Sequence, residues 1–218
     1  SDSKVNIVDW LIALVAEGLA VRLDQEGFKG GTFAGSPFVG FLLSSDVTVY
    51  SMPNGVSKTT FASFDLDEAS EMIAQMHESL LGGAAFYVNR TVWSKIRSKK
   101  DTAGNYVMGA NNGIIANQFK KEGIQQAGEL WGFPVYTTDQ LPTNSQTAVS
   151  TKFIVFANMQ KGLYVGDKGT LEVAKSTEAT VGGKNVFAAN QTAIRFIHRH
   201  GIAIGLPSAV VVGRTAAS

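Results

Sequence analysis

The 218-residue sequence contains no cysteine. Disulfide bonds, thiolate zinc sites and cysteine nucleophiles are therefore excluded. Charged residues make up only 17% of the chain, against roughly 25% in ordinary globular proteins. Its 19 basic and 18 acidic side chains nearly cancel, and a net charge of +1 argues against a strongly basic nucleic-acid-binding domain. Since little net repulsion opposes self-association, this composition suits a protein that covers its surface with neighbours.

Long hydrophobic runs are also absent. The most apolar stretch, residues 7–21, is interrupted by Asp9 and Glu17 and is too short to span a bilayer. It lacks the basic start and small-residue cleavage site of a signal peptide. We therefore expect no membrane partner. No internal repeat or linker is visible, and the length suits one or two domains.

Motifs that carry enzymatic chemistry are missing as well. The sequence has no Gly-x-Ser-x-Gly elbow, no phosphate-binding loop and no dinucleotide fingerprint. A cluster of carboxylates at Asp65, Asp67, Glu68 and Glu71 lies at the predicted start of a helix, where it complements the helix dipole. We therefore predict a protein that is not an enzyme and that needs no cofactor and no metal.

One pair of residues keeps an enzymatic alternative open. His198 and His200 are two residues apart, so in a strand their imidazoles point to one face and could bind a metal. The only other histidine is His77, and no carboxylate accompanies the pair in the sequence. Because zinc sites need three or four ligands, a polar sheet rim is the favoured interpretation. A small metal-dependent α+β enzyme with a distant carboxylate is the alternative.

The first half of the chain is predicted to be largely helical. Apolar residues recur at helical spacing from Ile7 to Leu19, and glycines from Gly27 onward end this helix. Asp65-x-x-Glu68 is a capping-box start for a second helix, whose apolar stripe runs to Leu80 before two glycines. A buried strand at 84–88 follows, and the next residue caps a third helix that ends near residue 99.

The second half is predicted to be mainly strands. Residues 105–128 are rich in Asn, Gln, Gly and Lys and are interpreted as a long excursion. Strands are expected at 134–137, 153–156, 162–165 and 171–174, followed by two closing strands. The segment from Gly182 to Asn185 is interpreted as a flexible link or a hairpin turn before these closing strands. Trp10, Trp93 and Trp131 are dispersed and are expected to be core or interface anchors.

Five segments, taken in order, resemble those of tailed-bacteriophage major capsid proteins. The segment VFAANQTAIRFIHRHG at 186–201 is followed by a second strand, Pro207 and a β-branched run, which resembles the C-terminal strands of that family. A Gly-rich loop with a Pro-x-Gly element lies at 28–42, and a strand–cap–helix–turn signature lies at 86–106. A Leu-x-Gly-x-Pro-Val strand entry lies at 130–135, and a segment that crosses the subunit body lies at 156–169.

The resemblance implies an α+β chain with the Hong Kong 97 phage-type coat fold. It implies an axial domain, a mixed sheet flanked by helices, at about residues 51–170. It also implies part of a peripheral domain, built from residues 1–50 and from the closing strands in 171–218. The polar excursion would then approach the capsomer axis, with Met108, Asn111, Asn112, Phe119, Lys120 and Lys121 as the expected axis-loop residues.

The implied function is that of a structural subunit of a viral or prophage icosahedral capsid. Its partners would be copies of itself in pentamers and hexamers, together with scaffold, portal and decoration proteins. Packaged DNA would be contacted only non-specifically. The subunit would assemble in the bacterial host cytoplasm and reside in the virion.

Two departures from the family pattern are visible. The N-terminal arm, extended hairpin and spine helix expected before the first helix are not seen, so the chain is expected to be a C-terminal fragment. Some members weld subunits by a Lys–Asn isopeptide bond assisted by a buried Glu. Asn190 matches the Asn position, but Ile197 occupies the expected Glu position. We therefore predict that no self-crosslinking occurs.

Two further functions remain as alternatives. A bacterial encapsulin shell protein shares the coat fold and encloses cargo enzymes, so genetic neighbours would distinguish it from a phage protein. A monomeric binding module that uses the 105–128 loop would never assemble, even at full length.

Overall fold

The computed structural model describes residues 7–32, 36–53, 58–100, 102–104, 126–145, 149–169 and 171–217. Its helices are α1 (Ile7–Phe28), α2 (Leu66–Ala74), α3 (Glu78–Leu81), α4 (Arg90–Arg97) and α5 (Met159–Gly162). Its strands are β1 (Thr48–Ser51), β2 (Ala85–Val88), β3 (Gln126–Leu130), β4 (Phe133–Thr137), β5 (Lys152–Ala157), β6 (Leu163–Asp167), β7 (Glu172–Ser176), β8 (Thr180–Val181), β9 (Lys184–Asn185), β10 (Ala193–Ile197), β11 (His200–Ile204) and β12 (Val210–Arg214).

The chain forms two compact units. The larger unit comprises Ser1–Tyr164 and Ala203–Ser218, and the smaller one comprises Val165–Ile202. The last strand, β12, lies inside the sheet of the larger unit. The predicted division into segments 1–50, 51–170 and 171–218 stays a prediction. The assignment of axial and peripheral domains stays a prediction.

A six-stranded mixed sheet organises the larger unit, as predicted for the family fold. Its strand order is β1-β12-β5-β2-β4-β3, with parallel pairs β1/β12 and β2/β4 and antiparallel pairs elsewhere. The central strand β5 alternates between two cores. Ile154 and Phe156 face a cluster that includes α2 and α4, whereas Val155 and Ala157 face a second cluster around Phe41. Both faces of the sheet are therefore covered, which explains the continuous apolar run in β5.

The second predicted helix is correct at its start and wrong at its end. Asp65 and Glu68 form the expected capping box of α2. The helix ends at Ala74, however, and α3 begins four residues later. His77 causes the break, since its backbone is extended and its ring Nδ1 accepts a hydrogen bond from the Ser79 backbone N–H at 3.2 Å. The apolar stripe survives the break because Met76 and Leu80 remain buried.

The following strand and helix agree with the sequence prediction. β2 is a buried strand, and the Asn89 side chain caps α4 by accepting a hydrogen bond from the Thr91 backbone N–H. The basic residues Lys95 and Arg97 lie in the last turn of α4, where cations complement the helix dipole.

The predicted excursion at 105–128 is too long at its C-terminal end. Gln126 already pairs with Tyr136 as the first residue of β3, so the last three residues of the excursion are strand. These residues are polar, but β4 follows after a two-residue turn and pairs with them, and this pairing outweighs their low strand propensity. Residues 105–125 lie outside the described residues.

The smaller unit is made of paired strands. β7 and β10 pair antiparallel, and β8 and β9 form a hairpin. The predicted turn at Gly182 and Gly183 is confirmed, with φ of 59° and 78° that glycine adopts without strain. Three strands close the chain rather than two, because the segment after Asn190 forms β10, β11 and β12. Over the described residues, no helix is long and apolar enough to cross a membrane.

Candidate assembly surfaces

Helix α1 presents an apolar stripe to solvent. Trp10, Leu14 and Val21 are 58%, 50% and 53% exposed, and their spacing of four and seven residues places them on one side of the helix. The predicted apolar face is thus split, since Leu11, Val15 and Leu19 are half-buried. Burial becomes complete only at the C-terminal end, where Phe28 contacts the Phe41 and Tyr87 rings. An aromatic and two aliphatic side chains on one exposed helix face are typical of an interaction surface.

Trp131 forms a second exposed apolar feature, at the tip of the β3–β4 hairpin. Trp131 and Gly132 form a two-residue turn with φ of 53° and 79°, the type I′ geometry that Asn-Gly normally occupies. A left-handed backbone costs a non-glycine residue about 1–2 kcal/mol. The indole is nonetheless fixed, because its Nε1–H donates to the Leu66 carbonyl oxygen at 2.9 Å, while 57% of the residue stays exposed.

A cavity of about 180 Å³ lies beside this hairpin contact. Apolar side chains of Phe64, Leu66 and Ile96 contribute to its wall. Its other lining residues are charged, namely Asp65, Asp67, Lys99 and Lys100. The volume is below the roughly 300–1,000 Å³ of small-molecule sites but far above the ~10–15 Å³ that one water needs. The cavity therefore suits a single large side chain.

Charge pairing fixes the rim of the cavity. Lys58 donates to Glu68 at 2.5 Å and to Asp65 at 3.0 Å, and Lys99 pairs with the other oxygen of Asp65. Burial by itself would raise the pKa of Asp65, but the hydrogen bonds and charges of Lys99 and Lys58 outweigh it and hold that pKa below its usual value. The carboxylate is therefore ionised at neutral pH and orders the start of α2.

A turn in the smaller unit presents a third exposed aromatic residue. Phe187 is 76% exposed, yet its backbone is held, because Asn185 Oδ1 accepts its N–H at 2.9 Å. Asn190, the crosslink-like position, lies in the same turn with a φ of 50° and donates its backbone N–H to the Phe187 carbonyl. Ile197 is half-buried in β10. The absence of crosslinking stays a prediction.

The histidine pair differs from the sequence expectation. β10 ends at Ile197, so His198 lies in the connection to β11 rather than on a strand face with His200. The rings stack at 5.3 Å, and Asp167 brings a carboxylate oxygen to 3.5 Å from His198 Nε2. Asp167 is distant in sequence from the two histidines, and the pairing of β6 with β11 brings it close to them. Even so, no described group of three or more His, Asp or Glu side chains could hold a metal ion.

The remaining predicted residues are the axis-loop residues and the three tryptophans. All six axis-loop residues, Met108, Asn111, Asn112, Phe119, Lys120 and Lys121, lie outside the described residues. Of the three tryptophans, Trp93 is a core residue and the other two are exposed. The cavity was not foreseen, because its walls come from segments thirty residues apart whose contact no local pattern reveals.

Comparison with known proteins agrees with this fold. A model of the phage capsid family matches residues 1–215. No curated protein sequence matches the chain. Among solved structures, the capsid of a native GTA particle, computed with C5 symmetry, is similar with a TM-score of 0.71 and 17% identity, covering all of this chain and 68% of that one. A structure from Gordonia phage Cozz gives a TM-score of 0.63 at 16% identity, covering 97% of this chain and 64% of that one. A structure from Microbacterium phage Oxtober96 gives a TM-score of 0.64 at 15% identity, covering 98% of this chain and 67% of that one.

The mixed sheet, the flanking helices and these matches define a viral coat fold of the Hong Kong 97 phage type. Because the family model spans nearly the whole sequence, the chain belongs to the phage capsid family and is a structural subunit of a capsid. The chain spans about two thirds of the length of these solved structures. The metal-dependent alternative based on His198 and His200 receives no support from the family or from the described residues.

Proposed function

We propose that this chain is the assembling body of a major capsid protein, which tiles into pentamers and hexamers around packaged DNA. The observation that carries the proposal is the exposed apolar stripe of α1, formed by Trp10, Leu14 and Val21. A shell subunit needs surfaces whose exposure to water is unfavourable and whose burial against another copy of the chain is favourable. Apolar burial contributes roughly 25 cal/mol per Å² of surface removed from water, so a few such side chains favour association.

The geometry of a closed shell explains why modest contacts suffice. Head-to-tail contacts close into rings when the rotation between copies fits. Each subunit in a ring is then held by two neighbours, and linked contacts strengthen one another. The near-neutral charge of the chain supports this function, because tiled copies do not repel strongly. The same near-neutral charge favours weak, non-specific contact with packaged DNA over tight binding.

The further partners and the location belong to the same proposal. Scaffold, portal and decoration proteins would bind the assembling shell in the host cytoplasm, and the finished subunit would reside in the virion. The axis-loop residues 108–121 would face the centre of each ring. The capsid of the native GTA particle, computed with C5 symmetry, supports ring formation, since that structure shares the fold of this chain.

The stripe can be tested with a matched pair of variants in the complete coat protein. Leu14→Asp puts a charge into the stripe, whereas Ala16→Asp puts the same charge on an exposed site of α1 well away from it. Electron microscopy should show shells for wild type and Ala16→Asp and free subunits for Leu14→Asp. Shells of normal yield from Leu14→Asp would contradict the proposal.

A further inference from the structure

Three side chains at one end of the larger unit's sheet form a group of hydrogen-bond donors without an anionic partner. Ser51, Arg214 and Lys152 lie side by side on the adjacent strands β1, β12 and β5. We propose that these three residues bind a phosphate group. The inference goes beyond the proposed function, because the binding is a property of the single subunit and can be measured without assembly.

A β-bulge brings the two cations together. Gly213 of β12 pairs with Ile154 of β5. The next residue, Arg214, pairs with Lys152, and Phe153 is passed over. In a regular antiparallel ladder Phe153 would lie opposite Arg214. Bulges re-aim side chains and are over-represented next to functional sites. The irregularity of the sheet at this point therefore places two positive charges opposite each other.

The two positive charges have no carboxylate partner. Lys152 Nζ donates to the Leu42 carbonyl oxygen at 2.7 Å. Arg214 donates from Nε and Nη2 to the Ser51 hydroxyl oxygen at 3.2 and 2.8 Å. Both acceptors are neutral, and no Asp or Glu in the part of the chain that the structure describes forms an ion pair with either cation.

This arrangement leaves a repulsion that an external anion would relieve. Like charges directly opposite each other on neighbouring strands are destabilising. Burial lowers the pKa of Lys152, and the positive charge of Arg214 lowers it further. Both side chains are half-buried, whereas Ser51 is exposed, so a ligand can enter from solvent. Charge attraction is stronger at such a partly buried position than in open water.

The remaining donors fit a phosphate better than a carboxylate. A lysine ammonium has three N–H donors and an arginine guanidinium has five. The bonds to Leu42 and Ser51 use one of the first and two of the second, and the Ser51 hydroxyl can donate its own proton. A terminal phosphate offers three acceptor oxygens and a charge of about −1.5 to −2 near pH 7, which matches two cations and a hydroxyl. A carboxylate offers only two oxygens and one charge.

Thermal unfolding of unassembled coat protein with inorganic phosphate tests the site. A ligand that binds only the folded protein raises its melting temperature, so phosphate should give a saturable rise over chloride at equal ionic strength and pH. Arg214→Gln should weaken this binding at least about tenfold, through the loss of charge-assisted hydrogen bonds. Phosphate also stabilises folded proteins in general, so a matched control is needed. Arg97→Gln removes the same charge from an exposed position in the last turn of α4 and should respond like wild type.

A folding role of Arg214 would give another pattern. In chloride, Arg214→Gln removes the repulsion with Lys152, so its melting temperature should equal or exceed that of wild type. A variant that is destabilised in chloride and keeps the wild-type phosphate response would overturn the inference. So would a wild-type protein without a saturable phosphate response. If shells were then also lost in Arg214→Gln, a carboxylate of a neighbouring copy would be the counter-ion instead.

A short DNA duplex identifies the source of the phosphate. If the DNA backbone occupies the site, the slope of log affinity against log salt concentration should decrease by about one in Arg214→Gln but not in Arg97→Gln. Equal slopes, together with the expected response to inorganic phosphate, would support the site and assign it to free phosphate or to a small phosphorylated molecule.

Discussion

The contrast between a buried and an exposed phenylalanine gives the sharpest test of the structure. Phe156 is fully buried in β5, with ring centroids 4.5 Å from Phe86 and 5.1 Å from Phe133. Truncation of a buried Phe to Ala costs about 3–5 kcal/mol, through lost transfer energy and the cavity left behind. Two aromatic contacts disappear at once, and the rigid sheet cannot collapse into the space, so we expect the upper half of that range.

The matched change is Phe187→Ala, which removes the same atoms from a 76% exposed position. It should change the free energy of unfolding by no more than about 0.5 kcal/mol. Urea titration followed by far-ultraviolet circular dichroism reports unfolding of both units, which matters because Phe156 lies in the larger unit and Phe187 in the smaller one. A typical domain has only about 5–15 kcal/mol of stability, so Phe156→Ala should shift the midpoint strongly. A loss below about 1 kcal/mol for Phe156→Ala would refute the burial on which this calculation depends.

Three further predictions concern single positions. Gly213→Ala should destabilise the protein by about 1–3 kcal/mol in thermal unfolding, because the new Cβ would lie 2.4 Å from the Ile154 side chain, whereas Gly201→Ala meets nothing within 4 Å and should be tolerated. The pKa of Asp65 is lowered in the fold, so its ion pairs stabilise the protein fully above the unfolded pKa of about 3.9, and this stability is lost as the pH falls through the lowered value. In Asp65→Asn, urea midpoints measured between about pH 5 and 2 should lose this part of their pH dependence. A variant whose midpoints keep the wild-type pH dependence would count against the prediction. Assembled complete coat protein should run at monomer mass on denaturing gels despite Asn190, and a covalent ladder would disprove the absence of crosslinks.

Much of the fold was accessible from local patterns. The capping box at Asp65, the Asn89 cap and the Gly182-Gly183 turn were predicted correctly, since each depends on hydrogen bonds or backbone angles within a few residues. The errors have two origins. β3 extends into a polar segment because β4 offers it a pairing partner, which is a contact outside the local pattern. The early end of α2 accompanies a local feature that the prediction missed, the cap of α3 by His77.

For the candidate assembly surfaces too, local patterns predict one part and tertiary contacts decide the other. An apolar helix pattern from Ile7 to Leu19 indicates which residues prefer to leave water, but not whether the chain itself or another copy covers them. Only the exposures of Trp10 and Leu14 identify the uncovered side. In the same way, the Leu-x-Gly-x-Pro-Val motif marked the Trp131 region as characteristic of the family, while its fixed, solvent-facing indole is visible only in three dimensions.

The sequence by itself determined the family, the element types and the absence of thiol chemistry, because order, periodicity and composition are properties of the chain alone. The tertiary structure decided which apolar side chains the subunit buries and which it leaves exposed. Burial is set by contacts between segments far apart in the chain, as when β12, the last strand, pairs with both β1 and β5. Such contacts depend on packing and sheet register, which local sequence does not specify.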